Sequence, residues 1–201
     1  MKFQFKIQPF QTEAAGSVVR VFAGQPNQGE ARYRRDVGSE TRFSDNKKIE
    51  RRGHIPITYA ALSAAEKRLV EEEYETAYRN SDVELSRDQL LKNIRDIQTE
   101  NNIRYSTDLA AGLGAVSLDV EMETGTGKTY VYIKTMFELH KAYGWSKFIV
   151  VVPSIAIREG VKKSFEITQE HFMELYGIKA RFFVYNSSNL HRMIFPPMTS
   201  Y

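Results

Sequence analysis

The fold of this chain is decided by one stretch, Glu123-Thr124-Gly125-Thr126-Gly127-Lys128-Thr129. An apolar run precedes it over 116–122, and a helical pattern without Gly or Pro follows it over 128–142. The glycines let successive N–H groups point inward, and the helix adds the positive end of its dipole there. A glycine loop before an ordinary surface lysine is the alternative, but the strand–loop–helix context favours a phosphate-binding P-loop. Lys128 would then reach the β- and γ-phosphates and Thr129 would hold Mg²⁺, so the sequence predicts binding of a nucleoside triphosphate.

The P-loop departs from the longest form of its pattern at one position. In G-x-x-x-x-G-K-[ST] the first glycine would fall at 122, where this chain has Met122. The compact form Gly-x-Gly-Lys-Thr is retained from Gly125 to Thr129. This departure favours motor ATPases of the helicase type over small-molecule kinases.

Composition limits the class of protein. With 201 residues, 42% hydrophobic and 26% charged, the chain can bury one substantial core, with room for an appended helical piece. No apolar run approaches the ~18 residues of a membrane span, and the alternating residues 1–6 do not resemble a signal peptide. The absence of Cys and the scattering of the four His argue against disulfides and zinc sites and favour a cytoplasmic protein. A net charge of +3 permits a polyanionic partner without demanding one.

The N-terminal segment offers a candidate for recognising the base. Pro9 is expected to end a short strand, and a helix capped by Thr12 is expected to run towards Phe22. A Gln side chain carries both a donor and an acceptor and can pair with the edge of adenine. Alone, Gln11 would more often be a solvated or capping residue. With Phe10 beside it and a P-loop downstream, we predict a role in reading adenine.

Four segments are predicted along the chain: 1–23 with the Phe10–Gln11 pair, 24–58 as a polar loop or insertion, 59–114 as helical, and 115–201 as the P-loop core. Residues 24–53 hold eight Lys or Arg and five Asp or Glu, which favours a solvated loop of mixed charge over a nucleic-acid-binding arm. Capping boxes begin helices at Ser63 and Ser86, which are expected to end near Arg79 and Asn101.

The C-terminal half is predicted to form a parallel sheet flanked by helices. Residues 147–152 have the continuous apolar character of a strand buried on both faces, and 181–185 are expected to form a third strand. Helices are expected over 155–165, after a cap at Ser154, and over 168–176. The fold class is therefore α/β, with right-handed βαβ connections. Ser154, Arg158 and Lys162 could contact phosphates or lie on a solvated face, and their spacing does not decide between these.

These motifs together resemble the restriction (Res) subunit of type III restriction–modification enzymes. The resemblance rests on Phe10-Gln11, the helix 90–98, the P-loop with Met122, and the string Val152-Pro153-Ser154-Ile155-Ala156-Ile157-Arg158-Glu159-Gly160-Val161. It implies a RecA-like domain of a superfamily 2 DNA translocase that uses ATP and Mg²⁺. It also implies duplex DNA and a modification subunit as partners. Phe10 and Gln11 match its adenine-reading motif, Thr124 to Thr129 its phosphate loop, and Pro153, Ser154 and Arg158 its DNA-contacting motif. Asn186 and Ser187 are a weaker match to a further DNA-contacting loop.

The chain also departs from that family. No Asp-Glu pair follows an apolar strand after the P-loop, and no second RecA-like domain or nuclease follows. We therefore expect an incomplete fragment that binds ATP but does not turn it over usefully. The alternatives are another superfamily 2 helicase or repair translocase, and a nucleotide-binding regulatory module that never hydrolyses. The 153–161 string argues against a small-molecule kinase.

Overall fold

The computed structural model of the chain describes residues 5–34, 48–49, 57–110, 112, 114, 116–184 and 199–200. It divides into two compact units. The first comprises Met1–Glu30, Asn80–Val184 and Pro197–Tyr201, and the second comprises Ala31–Arg79 and Tyr185–Pro196. No helix of the described residues is long and apolar enough to cross a membrane.

Four helices build the first unit: α1 (Pro9–Val21), α3 (Arg87–Glu100), α4 (Lys128–Tyr143) and α5 (Ile155–Tyr176). Helix α1 packs against both α3 and α4, and α4 also packs against α5. The P-loop helix α4 is therefore held between neighbours, which fixes the direction in which its N-terminus points.

Two apolar clusters surround α4. One is centred on buried residues of α1, α3, α4 and the segments that follow these helices, namely Val21, Phe22, Leu90, Leu109, Tyr143 and Trp145. The other lies between α4 and α5 and is centred on Ile133, Phe137 and Phe172. The stacked rings of Phe137 and Phe172, 5.0 Å apart, join the two helices at the second cluster.

The helix ends follow from local sequence. The hydroxyls of Ser86 and Ser154 cap α3 and α5 by accepting from the N–H groups of Gln89 and Ile157. Gly144 and Gly177 end α4 and α5 in the left-handed conformation. Helix α5 is one continuous helix, so the predicted break between residues 165 and 168 is wrong.

Helix α1 begins differently from the prediction. Pro9 occupies its first turn and Gln8 is its N-cap, without a side-chain capping bond. Proline suits this position because its missing N–H would have no partner inside the helix. Thr12 is therefore not the cap, and its hydroxyl instead donates to the carbonyl oxygen of Gln8 at 3.4 Å.

The predicted parallel sheet does not form among the described residues. Residues 116–123 and 144–152 have no strand ladder, and 180–184 have none either. The strand β5 (Ile178–Lys179) pairs antiparallel with β6 (Thr199–Ser200). A ladder needs a partner strand of matching register, and the described residues bring none to 116–123 or 147–152.

The segment 148–152 nevertheless has the alternation of a strand. Phe148 packs against the first apolar cluster and Val150 on the same face is 38% exposed, whereas Ile149 and Val151 are 88% and 87% exposed. Its start is fixed by Asn80, whose Oδ1 accepts from the N–H groups of Ser146 and Lys147, both at 2.9 Å. One face of this segment is therefore partly packed, and the face with Ile149 and Val151 is exposed.

The second unit is built from short elements. Strand β1 (Glu30–Arg34) pairs with β4 (Thr76–Asn80), and β2 (Lys48–Ile49) pairs antiparallel with β3 (Ile57–Thr58). A 3₁₀ turn (Tyr59–Ala61) leads to α2 (Ala64–Glu75). The capping box that begins α2 is confirmed, because the N–H of Ser63 donates to Glu66 at 3.0 Å and the N–H of Glu66 donates back at 3.3 Å.

Two predictions for this unit are corrected. Helix α2 ends at Glu75 rather than near Arg79, because residues 76–80 form β4. The predicted loop 24–58 contains strand β1, which pairs with β4, and strands β2 and β3, which pair with each other. Strand β1 pairs with β4, which is distant in the sequence, and β2 and β3 are only two residues long, so none of them gives a periodic signal in the local sequence.

Candidate functional site: the loop before helix α4

The glycine-rich loop turns as its sequence predicts. Gly125 and Gly127 adopt φ values of +84° and +87°, which favour glycine. The Thr126 hydroxyl closes the turn by donating to the carbonyl oxygen of Glu123 at 2.6 Å. Both left-handed positions of the loop are therefore glycines, so the turn into α4 forms without backbone strain.

The N-terminus of α4 lies open at the end of this loop. Helix α4 begins at Lys128, and its N-cap Gly127 supplies no side chain to its first N–H groups. Backbone donors at a helix N-terminus attract anions, because they are unpaired and lie at the positive end of the dipole. Lys128 is exposed and Thr129 is half-buried, so a cation and a hydroxyl stand next to these donors.

Gln11 lies directly against the loop. Its Nε2 donates to the carbonyl oxygen of Thr126 at 2.8 Å, across 115 residues of sequence. A Cβ on Gly127 would lie 2.6 Å from that Nε2, so only glycine accommodates the contact. This bond uses one of the two amide hydrogens and leaves the Gln11 Oε1 and the other hydrogen for a further partner.

Phe10 faces a different environment from Gln11. It is 46% exposed and lines an open cavity of about 680 Å³ that also reaches Glu123 and Thr126. The other walls of the cavity come from α1, α3 and the segments 103–110 and 117–123. The structure therefore places both members of the Phe10–Gln11 pair beside the P-loop, and their role in reading adenine stays a prediction.

An aromatic cluster lies against the first turn of α4. Tyr130, the residue after Thr129, is hydrogen-bonded through its hydroxyl to Nε2 of His171 on α5 at 2.9 Å. The ring of Phe5 lies 4.9 Å from His171 and 6.2 Å from Tyr130. Burial lowers the pKa of His171 and raises the pKa of Tyr130, which favours the neutral form of both groups.

This aromatic cluster was missed in the sequence. The signal for Tyr130 is its position immediately after Gly-Lys-Thr on a predicted helix. No local signal points to His171, because its contact depends on how α5 packs against α4.

The predicted DNA-contacting residues lie at the start of α5. Pro153 is exposed, and the hydroxyl of Ser154 accepts from the N–H of Ile157 at 3.3 Å as the helix cap. Arg158 donates to the carboxylate of its neighbour Glu159 at 3.1 and 3.2 Å. Asn186 and Ser187 lie outside the described residues.

Comparison with known proteins finds a family model that matches part of the chain. The family model described as type III restriction enzyme, res subunit, matches residues 91–189. Over this range the chain is similar to the type III restriction enzyme Res subunits. The matched range contains the P-loop and the start of α5, whereas Phe10 and Gln11 precede it.

Curated members of the Res family are similar to this chain over part of their length. The EcoP15I Res subunit of Escherichia coli is 40% identical over 110 residues, which are 54% of this chain and 11% of that protein. The EcoPI Res subunit of Escherichia phage P1 is 37% identical over 110 residues, with the same coverage. The StyLTI Res subunit of Salmonella typhimurium is 50% identical over 62 residues, 30% of this chain and 6% of that protein. The chain thus aligns with about a tenth of the first two relatives.

Proposed function

We propose that this chain is the ATP-binding part of a type III restriction Res subunit and that it serves a motor that moves along duplex DNA. The observation that carries the proposal is the hydrogen bond between Gln11 and the P-loop carbonyl of Thr126. It joins the predicted base-reading residue to the predicted phosphate-binding loop, as a single nucleotide site requires. The similarity to Res subunits supplies the class of enzyme.

The residues present suit a nucleotide with its metal ion. The uncapped N–H groups of α4 and Lys128 would hold the phosphates, and Thr129 would hold Mg²⁺. Gln11 keeps an acceptor and a donor for the edge of adenine. The metal ion would neutralise phosphate charge, while the chain's own residues bind and orient the nucleotide.

We place hydrolysis outside these 201 residues. ATP cleavage by P-loop enzymes uses an acid that holds Mg²⁺ and an arginine finger, the latter worth ~10³–10⁵ in rate. The sequence has no Asp-Glu pair after the P-loop that could take the first role. We propose that the chain binds ATP with little turnover of its own.

We further propose that the segment 147–152, whose Ile149 and Val151 are exposed, becomes a strand of a parallel, RecA-like sheet in the complete enzyme. Its continuous apolar character suits a strand buried on both faces. Pro153, Ser154 and Arg158 would follow the carboxyl end of that strand and contact DNA phosphates, while a modification subunit would supply sequence recognition.

Binding of a fluorescent ATP analogue with Mg²⁺ tests the nucleotide site. We expect Lys128→Ala to weaken binding at least about tenfold, because a charged phosphate contact is lost. Gln11→Ala should remove the preference for ATP over competing GTP. Lys141→Ala, a change of the same type in the last turn of α4, serves as the control and should bind normally. Absence of binding by the folded wild-type chain, or equal competition by GTP, would refute the proposal.

A further inference from the structure

The first turn of α4 is tied to α5 by one hydrogen bond. Tyr130 is the third residue of α4, directly after Lys128 and Thr129. Its hydroxyl meets Nε2 of His171 at 2.9 Å. The N-cap Gly127 has no side chain to stabilise this turn, so the turn is braced from the side of α5.

The surroundings of this bond strengthen it. The ring of Phe5 lies against both partners, and the ring of Phe172 lies 5.1 Å from Tyr130 and 5.2 Å from His171. This bond is partly shielded from water by apolar rings, which makes a hydrogen bond electrostatically stronger than a fully exposed one.

The neutral imidazole of His171 is the form that accepts from Tyr130. Two charged groups act on the pKa of His171. Glu174 on the same helix raises it, and Lys134 on α4 lowers it. The N-terminal segment presents the uncharged ring of Phe5. Burial is the largest influence and lowers the pKa of His171.

We propose that Tyr130 and His171 are positioning residues of the nucleotide site, which hold the first turn of α4 so that its N–H groups face the phosphates. This inference rests on the proposed binding of ATP. It assigns the Tyr130–His171 pair to the phosphate end of the nucleotide and leaves the base to Gln11. The pair should therefore affect ATP and GTP by the same factor.

The inference is tested with the full 201-residue chain and fluorescent ATP and GTP analogues with Mg²⁺. Tyr130→Phe and His171→Leu should each weaken binding of both nucleotides about 3- to 10-fold, the range expected for one lost hydrogen bond. The double variant should bind no more weakly than either single variant, because the same bond is removed. His171→Gln, which retains a polar atom near the position of Nε2, should restore most of the affinity.

Tyr176→Phe is the matched control. The Tyr176 hydroxyl also joins α5 to α4, because it donates to Oε1 of Glu138 at 2.7 Å. Glu138 lies eight residues after Tyr130 on α4, away from the first turn. We expect its removal to change nucleotide affinity less than about twofold, since α4 keeps its first turn in place.

The outcomes separate the two proposals. If the folded wild-type chain binds neither nucleotide, the proposed function fails and this inference fails with it. If the wild type binds and Tyr130→Phe binds equally well, only the inference is refuted. It is also refuted if Tyr176→Phe weakens binding as much as Tyr130→Phe, because both bonds would then act only by holding the helices together.

Discussion

At the scale of single residues, Gly127 meets two independent constraints. Its φ of +87° strains any other residue, and a Cβ there would displace the amide of Gln11. Gly125 has a similar φ of +84° but open space around it. Substitution of Gly125 therefore introduces backbone strain alone, whereas substitution of Gly127 introduces strain and also disturbs the contact with Gln11.

Gly127→Ala should destabilise the chain more than Gly125→Ala and should also change its choice of base. We expect a loss of about 1–2 kcal/mol from backbone strain in either variant. Gly127→Ala should lose about 1 kcal/mol more, because the Gln11–Thr126 bond breaks. Urea unfolding measures the first effect and competition between ATP and GTP the second. Equal behaviour of the two variants in both assays would show that Gln11 does not depend on Gly127.

His171 should make stability depend on pH. Burial lowers its pKa from the ordinary 6.5, so the unfolded chain takes up a proton before the folded chain does. The free energy of unfolding should therefore be highest above pH 6.5 and fall as the pH drops through the lowered pKa of the folded state. The difference between wild type and His171→Gln, measured by urea unfolding from pH 7.5 to 5, should show this fall. A difference that stays constant over that range would contradict the burial of His171.

At the scale of elements, the helices could largely be predicted from sequence. The serine caps predict the starts of α2, α3 and α5, and the glycines that flank 128–143 predict both ends of α4, because these signals act within one turn. The end of α2 and the continuity of α5 are predicted wrongly, as is the N-cap of α1. The first depends on pairing of β4 with β1, and the second on the packing of Phe172 between α4 and α5.

In the candidate site too, contacts between residues close in the sequence could be predicted, and contacts made by packing of distant elements could not. The loop, Lys128 and Thr129 are adjacent in sequence, so the motif itself places them together. The donor and acceptor of the Gln11 amide suit adenine, which is why the sequence points to it, and the structure brings it to the loop. His171 could not be selected, because its approach to Tyr130 is determined by the packing of two helices.

The glycines that end α4 and α5 give a second matched pair. Gly144 and Gly177 have φ values of +74° and +67°. A Cβ on Gly144 would lie 2.6 Å from the Cα of Gly29, whereas one on Gly177 would meet nothing within 4 Å. Gly177→Ala should therefore cost about 1 kcal/mol of strain, and Gly144→Ala a further 1–3 kcal/mol because a backbone segment must move. Thermal or urea unfolding compares them, and a smaller loss for Gly144→Ala would contradict the close packing of residues 27–29 on the end of α4.

At the scale of the whole molecule, the segment 147–152 has no strand ladder in this chain, whereas we propose that it joins a parallel sheet in the complete enzyme. Phe148 packs into the apolar cluster, whereas Ile149 and Val151 are almost fully exposed. In the described residues this segment is therefore a strand in sequence character and in alternation, but it lacks the ladder that defines a sheet.

This difference predicts how substitutions along the segment behave. Ile149→Thr combined with Val151→Thr should change the unfolding free energy of the chain by less than about 0.5 kcal/mol, because exposed side chains lose no packing. Phe148→Ala should cost about 2–4 kcal/mol, since it removes a ring from the cluster. Urea unfolding of both variants gives the comparison. A loss above about 2 kcal/mol for the Ile149 and Val151 pair would mean that both faces are already buried and that the parallel sheet forms within this chain. If the pair is neutral here but destabilises a longer Res subunit, the second face is covered only when the remaining strands are present.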